Sequence, residues 1–478
     1  MIAQPARLRL TTMRRPNILL LYTDQQRWDA LGINGNPDIQ TPHLDQLAGE
    51  GVNFDHYFVQ NPVCMPSRLS FLTGQYPSTL GVTHMGVPVP EDIVALPHLL
   101  RNYGYHSANI GKLHFLPHAN RDHRQPHPAY GFDHLEISDE PGPYPDAYRA
   151  WVAAKAPEEL DRTSLGLPPM GVTWQKALNI KDGIQHPEER FPKKALPFAG
   201  RSDLTHTAFV AEQTIDYIER QQDGPFCCIS GFYSPHSPWV APREFINRYD
   251  PDTLSLPTFP PELDARRGPD HYSDEELRRA RVGYYAMVSE VDHHVGRILA
   301  RLDQLGLAED TIVAFTSDHG EWLGEHLKYG KGYPGHDCVT RVPLILRWPK
   351  HINAPGRTES GLLEGVDIVP TLLESAGIQI PSHLQGHSLY AALAGREKAG
   401  KDCAITEMYG WKTLRSEQYR YVVEANGREQ LYDLDTDPIA YRDLCNDAKY
   451  ATILATMRHK LITHQLISER PLQKTWPY

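Results

Sequence analysis

The 478-residue chain contains no apolar stretch approaching the ~20 residues that a helical bilayer span requires. Its N-terminal stretch, MIAQPARLRLTTMRRPNILLLYTD, has only the short apolar run Ile18–Leu21 and no small-residue cleavage site after it. A secretory signal is therefore not expected, the cytoplasm is the expected compartment, and Met13 is a second possible start. Six cysteines are too few for a dense disulfide framework, and Cys227-Cys228 lies inside an apolar run, which places it in a core. Basic charge is also short: 48 Lys and Arg against 59 Asp and Glu give a net charge of -11, so there is no footprint for nucleic acid. Internal repeats and low-complexity tracts are absent. What is left is ordinary globular composition, 40% hydrophobic and 22% charged, enough for one large domain and a smaller one.

Four segments share one design. NILLLYTD (17–24), YHSANIGKLHF (105–115), PFCCISGFYSPHSPW (225–239) and TIVAFTSDHG (311–320) are short apolar runs that end in polar residues. Such runs read as buried strands. Between them lie helical patterns. TPHLDQLAGEG offers a Thr41 cap, Pro42 at the first helical position and a stop at Gly51. A long helix opens with the capping box Ser273 to Glu276, carries Val288, Val291, Val295, Ile298, Leu299 and Leu302, and stops at Gly306. DLTHTAFVAEQTIDYIER is a third helix. Alternating strands and helices predict an α/β fold with a large, mostly parallel central sheet flanked by helices. Ligands then gather beyond the carboxyl ends of the strands, where all four runs place their polar residues. Residues 116–200, rich in Pro, His and Asp, read as long irregular loops and a possible lid. Beyond about residue 371 the pattern changes to a hairpin turning at Asn426-Gly427 and a final helix. The expected division is a catalytic domain over 14–370 and a smaller α+β subdomain with an antiparallel sheet over 371–478.

One stretch, NPVCMPSRLSFLTGQYP, puts a thiol at the start of a helix: Pro66 suits the first turn, Leu69, Phe71 and Leu72 form an apolar face, and Gly74 caps the end. Cys64 at a helix N-terminus, one turn from Arg68, meets the conditions that lower a thiol pKa and stabilise an anion. The competing reading is a buried, inert cysteine.

Cys64-Met65-Pro66-Ser67-Arg68 resembles the C-x-P-S-R signature of the sulfatases, within the alkaline phosphatase superfamily. The resemblance continues through YTDQQRWDALGINGN, GYHSANIGKLHF, PHSPW, SDHGEWLGEH and LYDLDTDP. It implies an alkaline phosphatase-like fold and hydrolysis of a sulfate ester, with Cys64 oxidised by a formylglycine-generating enzyme to formylglycine. One hydroxyl of the hydrated aldehyde would attack sulfur, and loss of the proton from the other would expel the sulfate, which a serine cannot do. By the same resemblance Asp24, Gln25, Asp318 and His319, with residue 64, would hold one divalent metal ion. Oxygen ligands favour Ca²⁺ or Mg²⁺, and the imidazole at His319 makes Mn²⁺ plausible. Arg68, Lys112 and His114 would hold the hydrate and the sulfate. His236 and Lys331 would contact the sulfate and the ester oxygen, with His236 as general acid. Lys328 competes with Lys331, and His84 is either a substrate contact or structural. The Gln25/His319 pairing also occurs in branches that cleave phosphonate monoesters and phosphodiesters, which leaves such an activity as the alternative. Lys112, His114 and Ser67 weigh toward sulfate. A catalytically dead anion-binding protein is a third reading, disfavoured because every key position is retained. The resemblance implies a small sugar, alkyl or aryl sulfate as substrate and leaves a homo-oligomer open.

Overall fold

The computed structural model describes residues 15–117, 125–166, 183–221 and 224–469. An eight-stranded sheet forms its centre. In chain order the strands are β1 (Asn17–Thr23), β2 (Val52–Phe54), β3 (His106–Gly111), β4 (His134–Ile137), β5 (Phe226–Gly231), β6 (Thr311–Ser317), β7 (Leu344–Arg347) and β8 (Arg357–Glu359). Their spatial order is β8-β2-β7-β6-β1-β5-β3-β4. All pairings are parallel except those of β7, so the sheet is mixed. The four apolar runs are adjacent as β6-β1-β5-β3 and parallel, which brings their carboxyl ends to one rim.

The alternation along β1 shows how the sheet is buried on both sides. Ile18, Leu20 and Tyr22 enter one core with Leu69 and Leu72 of helix α1 (Cys64–Thr73) and with Val369, Leu372 and Leu373 of a helix over Ile368–Ser375. Leu19 and Leu21 enter the other, with Phe209 and Val210 of a helix over His206–Arg220 and Val291, Val295 and Ile298 of the long helix Asp274–Gln304. The capping box forms as the sequence indicates: Ser273 Oγ accepts from Glu276 N and Glu276 Oε2 accepts from Ser273 N. The helix read from Asp203 begins only at His206, because Thr205 Oγ1 accepts from Ala208 N and so sets the start. Thr41 precedes the helix Pro42–Gly49 but makes no such bond; its hydroxyl accepts from Gly32 N and donates to Asp45.

The loop reading of 116–200 needs correction. Strand β4 lies there, paired in parallel with β3, and so does a helix over Ala147–Lys155 capped by Asp146. HLEI is a half-buried edge strand, too short and polar to give an apolar run. The lid reading falls partly on 118–124 and 167–182, outside the described residues. After the core helix Ile368–Ser375, four antiparallel strands, β9 (Ala404–Met408), β10 (Trp411–Arg415), β11 (Tyr419–Glu424) and β12 (Glu429–Asp433), form a second sheet. The last turn falls at Asn426-Gly427, with Gly427 at φ +86°. Helix Ala451–Ser468 covers the sheet through Leu454, Met457 and Leu461. Among the described residues no helix is long and apolar enough to cross a membrane.

Thr205 also donates to Glu290 on the long helix, a fully buried carboxyl. Burial pushes Glu290 up to about 8, against an ordinary value of 4.5. The folded state therefore holds a proton that the unfolded chain releases between these values. The resulting stability is complete below pH 4.5 and is lost as pH rises through about 8, with a slope of at most about 1.4 kcal/mol per pH unit. Glu290→Gln is expected to raise the melting temperature above pH 7.5 and to leave it nearly unchanged at pH 5. Parallel melting curves for the two proteins across this range would contradict the assignment.

Candidate active site

The rim is assembled from strand ends. β1 delivers Asp24 and Gln25, and β6 delivers Asp318 and His319. Gln25 sits at φ +69°, a left-handed conformation that costs a non-glycine residue about 1 kcal/mol or more. It is held there because its N–H donates to Asp318 Oδ1 (3.1 Å) and its carbonyl accepts from the Tyr284 hydroxyl (2.8 Å). β3 and β5 end in Gly111 and Gly231, and Lys112 N donates to Gly231 O at 2.7 Å. A Cβ on Gly231 would lie 2.1 Å from Lys112 O, so only glycine lets the two chains pass and Lys112 reach the rim.

Helix α1 brings Cys64 to the same place as its first residue, behind Val63, and ends at Gly74 with φ +64°. Ser67 Oγ donates to the Asp318 carbonyl. Arg68, buried and stacked 4.7 Å over the Tyr22 ring, donates through Nε to Asp318 Oδ2 (2.7 Å) and through its other nitrogens to the carbonyls of Lys112 and Thr23. It therefore braces the strand ends that carry the site.

Around Cys64 Sγ lie Lys331 Nζ at 2.7 Å, His319 Nε2 at 3.2 Å and Asp24 Oδ1 at 3.7 Å. Lys112 Nζ is 2.5 Å from Asp24 Oδ2, and Lys331 Nζ is 3.2 Å from His236 Nε2. One ligand atom each from Asp24, Cys64, Asp318 and His319 falls within 4.8 Å of the others, a cluster that can hold a metal ion. His319 Nδ1 donates to Gly320 O, which leaves the Nε2 lone pair facing the two carboxylates, 3.5 Å from each. His236 Nδ1 donates to Ser237 O at 2.6 Å, so its Nε2 is the nitrogen that faces Lys331.

The electrostatics follow from burial and pairing. Burial works against the charge of Asp24, yet Lys112, His236, Lys331 and His319 hold its carboxyl well below the usual range. Burial and then Lys331 hold His236 well below the ordinary imidazole value. Burial also lowers His319. The expectation of an acidic thiol at Cys64 is corrected. Burial pushes it up and Asp24 adds to this, against the pull of Lys331 and Lys112. The charge of Arg68, which the sequence offered as the activating cation, is spent on Asp318 instead.

The other sequence candidates separate. Lys328 donates to Tyr333 O and lies over the Trp322 ring, leaving Lys331 as the lysine at residue 64. His114 is buried, with its backbone N–H donating to Asp139 Oδ1. His84 is exposed, its ring 5.4 Å from that of Tyr409. Two residues of the site went unnoticed in the sequence. Tyr233 lies 5.1 Å under Lys112 Nζ and touches His236 Nδ1 through its hydroxyl. Glu321 sits one residue beyond Gly320, and the only signal for it was its place in SDHGE.

A family profile described as Sulfatase matches residues 16–378. The chain belongs to the sulfatase family. A second profile, described as N-sulphoglucosamine sulphohydrolase, C-terminal, matches residues 324–466 of this sulfatase. The sulfatase is 29% identical over 487 residues to an arylsulfatase of Clostridium perfringens, covering 94% of each chain. It is also 29% identical over 462 residues to an ulvan-active sulfatase of Formosa agariphila, covering 94% of this chain and 80% of the relative. Among solved structures, the phosphonate monoester hydrolase of Agrobacterium radiobacter superposes with a TM-score of 0.79 at 26% identity, covering 95% and 96% of the two chains. The sulfatase is thus a sulfuric ester hydrolase with an alkaline phosphatase-like fold, and Cys64 lies at the centre of its rim cluster.

Proposed function

We propose that this sulfatase cleaves a small sulfated sugar, alkyl or aryl ester with residue 64 as formylglycine beside one divalent cation. The observation that carries the reading is the convergence of Lys331, His319 and Asp24 on Cys64 Sγ at the strand rim. Here that sulfur marks the place that the oxygens of the hydrated aldehyde would take in the mature protein, once a formylglycine-generating enzyme has read the motif around Pro66 and Arg68. The hydrate supplies two hydroxyls on one carbon, one for attack and one whose deprotonation releases the sulfate.

The residues present fit a cation. Asp24, Asp318 and His319 belong to the cluster that can hold an ion, and Gln25 adds a third oxygen-bearing side chain, whose buried Oε1 has no hydrogen-bond partner among the described residues, which is costly unless something else binds it. Ca²⁺ is the leading candidate, with Mg²⁺ or Mn²⁺ as alternatives, and the cation would polarise the sulfate oxygens and offset their charge.

The chain's own groups divide the remaining work. Arg68 holds Asp318 in place. Lys112 and Lys331 supply positive charge where the sulfate oxygens gather. His236, with Nδ1 fixed by Ser237 O, presents Nε2 on the side of Lys331 and gives the leaving oxygen its proton. Its pKa is depressed by burial and by Lys331, and a bound anion reverses the second effect and lets it carry that proton.

Phosphonate monoester or phosphodiester cleavage is the second reading, favoured by the structural likeness noted above and by Gln25 and His319. The family resemblance at Lys112, His114 and Ser67 weighs toward sulfate. One panel tests both points: aryl sulfates, alkyl sulfates, sulfated sugars, phosphonate monoesters and phosphodiesters, with the parent protein and with His236→Ala. Sulfate esters are expected to turn over fastest. His236→Ala is expected to cost alkyl sulfates about 10²- to 10⁴-fold and aryl sulfates far less, since a phenoxide leaves without a proton. Phosphonates turning over faster than every sulfate would reverse the two readings, and equal losses for both ester classes would make His236 a sulfate contact rather than the acid.

A further inference from the structure

Glu321 is fully buried, and among the described residues its side chain accepts from Gln25 of the rim and from two backbone groups of the loop that carries Lys331. Its Oε2 accepts from Gln25 Nε2. Its Oε1 accepts from two backbone N–H groups, Leu323 (3.0 Å) and Gly330. Gly330 directly precedes Lys331, and Trp322 N donates to Gly330 O at 2.9 Å, so Glu321 closes the base of the loop that carries Lys331. Within this loop Leu323, His326 and Leu327 all have φ between +45° and +56°, conformations that persist only where surrounding contacts impose them.

The amide of Gln25 has one donating and one accepting end. With Nε2 taken by Glu321, Oε1 is the end that remains, and it is buried without a hydrogen-bond partner among the described residues. We propose that Glu321 is a positioning residue that turns the Gln25 amide oxygen toward the cation and fixes the loop that sets Lys331 beside residue 64. Cation binding and the placement of a catalytic lysine then depend on one carboxylate. The proposal rests on the cation site described under the proposed function.

Glutamine at 321 keeps the shape but has a single accepting oxygen, which cannot serve Gln25, Leu323 and Gly330 together. The experiment uses the full chain, stripped by chelator and titrated calorimetrically with Ca²⁺ and with Mn²⁺. E321Q is expected to weaken binding about 10- to 100-fold, the usual cost of losing a group that orients a metal ligand. In a Gln25→Ala background the same change is expected to alter affinity less than about threefold, because its route to the cation is gone. In E321A, which removes both oxygens, kcat is expected to stay depressed even at saturating cation, because the Gly330 anchor is missing. Unchanged affinity in E321Q, or an equal loss in both backgrounds, would overturn the proposal, and full recovery of kcat by cation in E321A would overturn the link to Lys331. Should E321Q fail to fold, Gln25→Ala alone decides the matter, since undiminished affinity there removes the ligand that Glu321 is proposed to orient. Asp318→Asn separates the two layers. If it binds cation as the parent does, the cation site itself is misplaced; if it loses binding while E321Q keeps it, only the role of Glu321 fails.

Discussion

Asp318→Asn is expected to lower kcat by about a thousandfold or more, and stripping the cation to do the same. Asp318 is bound on every side. One oxygen accepts from Gln25 N and lies 3.5 Å from His319 Nε2, and the other accepts from Arg68 Nε at 2.7 Å. Asn keeps the shape and one accepting oxygen but removes a charge that pairs with a buried guanidinium and that the proposed cation would need. Leaving a buried charge short of its partner costs about 3–5 kcal/mol when nothing else compensates. Here Asp24, with Oδ2 3.8 Å from Arg68, compensates in part. The variant should therefore fold, with a lowered melting temperature. Steady-state turnover of an aryl sulfate, with the metal content of each sample measured, checks both halves. Parental kcat in Asp318→Asn, or in protein shown to be free of metal, would contradict the cation's part in the account.

The largest loss is expected at residue 64. Cys64→Ala and Cys64→Ser should each lose about 10⁴- to 10⁶-fold in kcat, the scale seen when a covalent nucleophile is removed. Serine can attack once but has no second hydroxyl to expel the sulfate, so Cys64→Ser should stall as a covalent ester that mass spectrometry detects. Cys64→Ala should still bind sulfate, because Lys112, Lys331 and the other proposed cation ligands keep their places. An unmodified thiol makes a poor substitute, since burial and Asp24 raise its pKa and keep it protonated. Substantial turnover by either variant would remove residue 64 from the chemistry.

Much of this was legible in the chain because the signals were local. Each of the four apolar runs carries its own strand pattern and its own polar end, and parallel pairing of β6-β1-β5-β3 did the rest. Asp24, Lys112, His236 and Asp318 each sit close behind such a run, so a shared rim could be inferred without knowing the sheet order. What the chain did not reveal depends on contacts between distant segments. The edge strand HLEI has no periodicity of its own and exists because β3 offers it an edge. Arg68 looked like the cation for Cys64 from four residues away, but Asp318, 250 residues later, takes its charge. Glu321 showed no role because its value lies in joining Gln25 to Gly330, and neither partner is predictable from spacing. His84 lies in a loop whose pattern favoured neither reading, and the structure puts it at the surface against Tyr409.

The most direct test measures turnover against the state of residue 64. Preparations made with and without a formylglycine-generating enzyme would be digested, and the peptide around 61–68 assayed for aldehyde by mass and by reaction with a hydrazine reagent. Sulfate release by each preparation would be measured at saturating cation. The account predicts that kcat per chain rises in proportion to the aldehyde fraction and extrapolates to nearly zero for fully unmodified cysteine. A preparation with intact Cys64 thiol that releases sulfate as fast as the modified protein would contradict it.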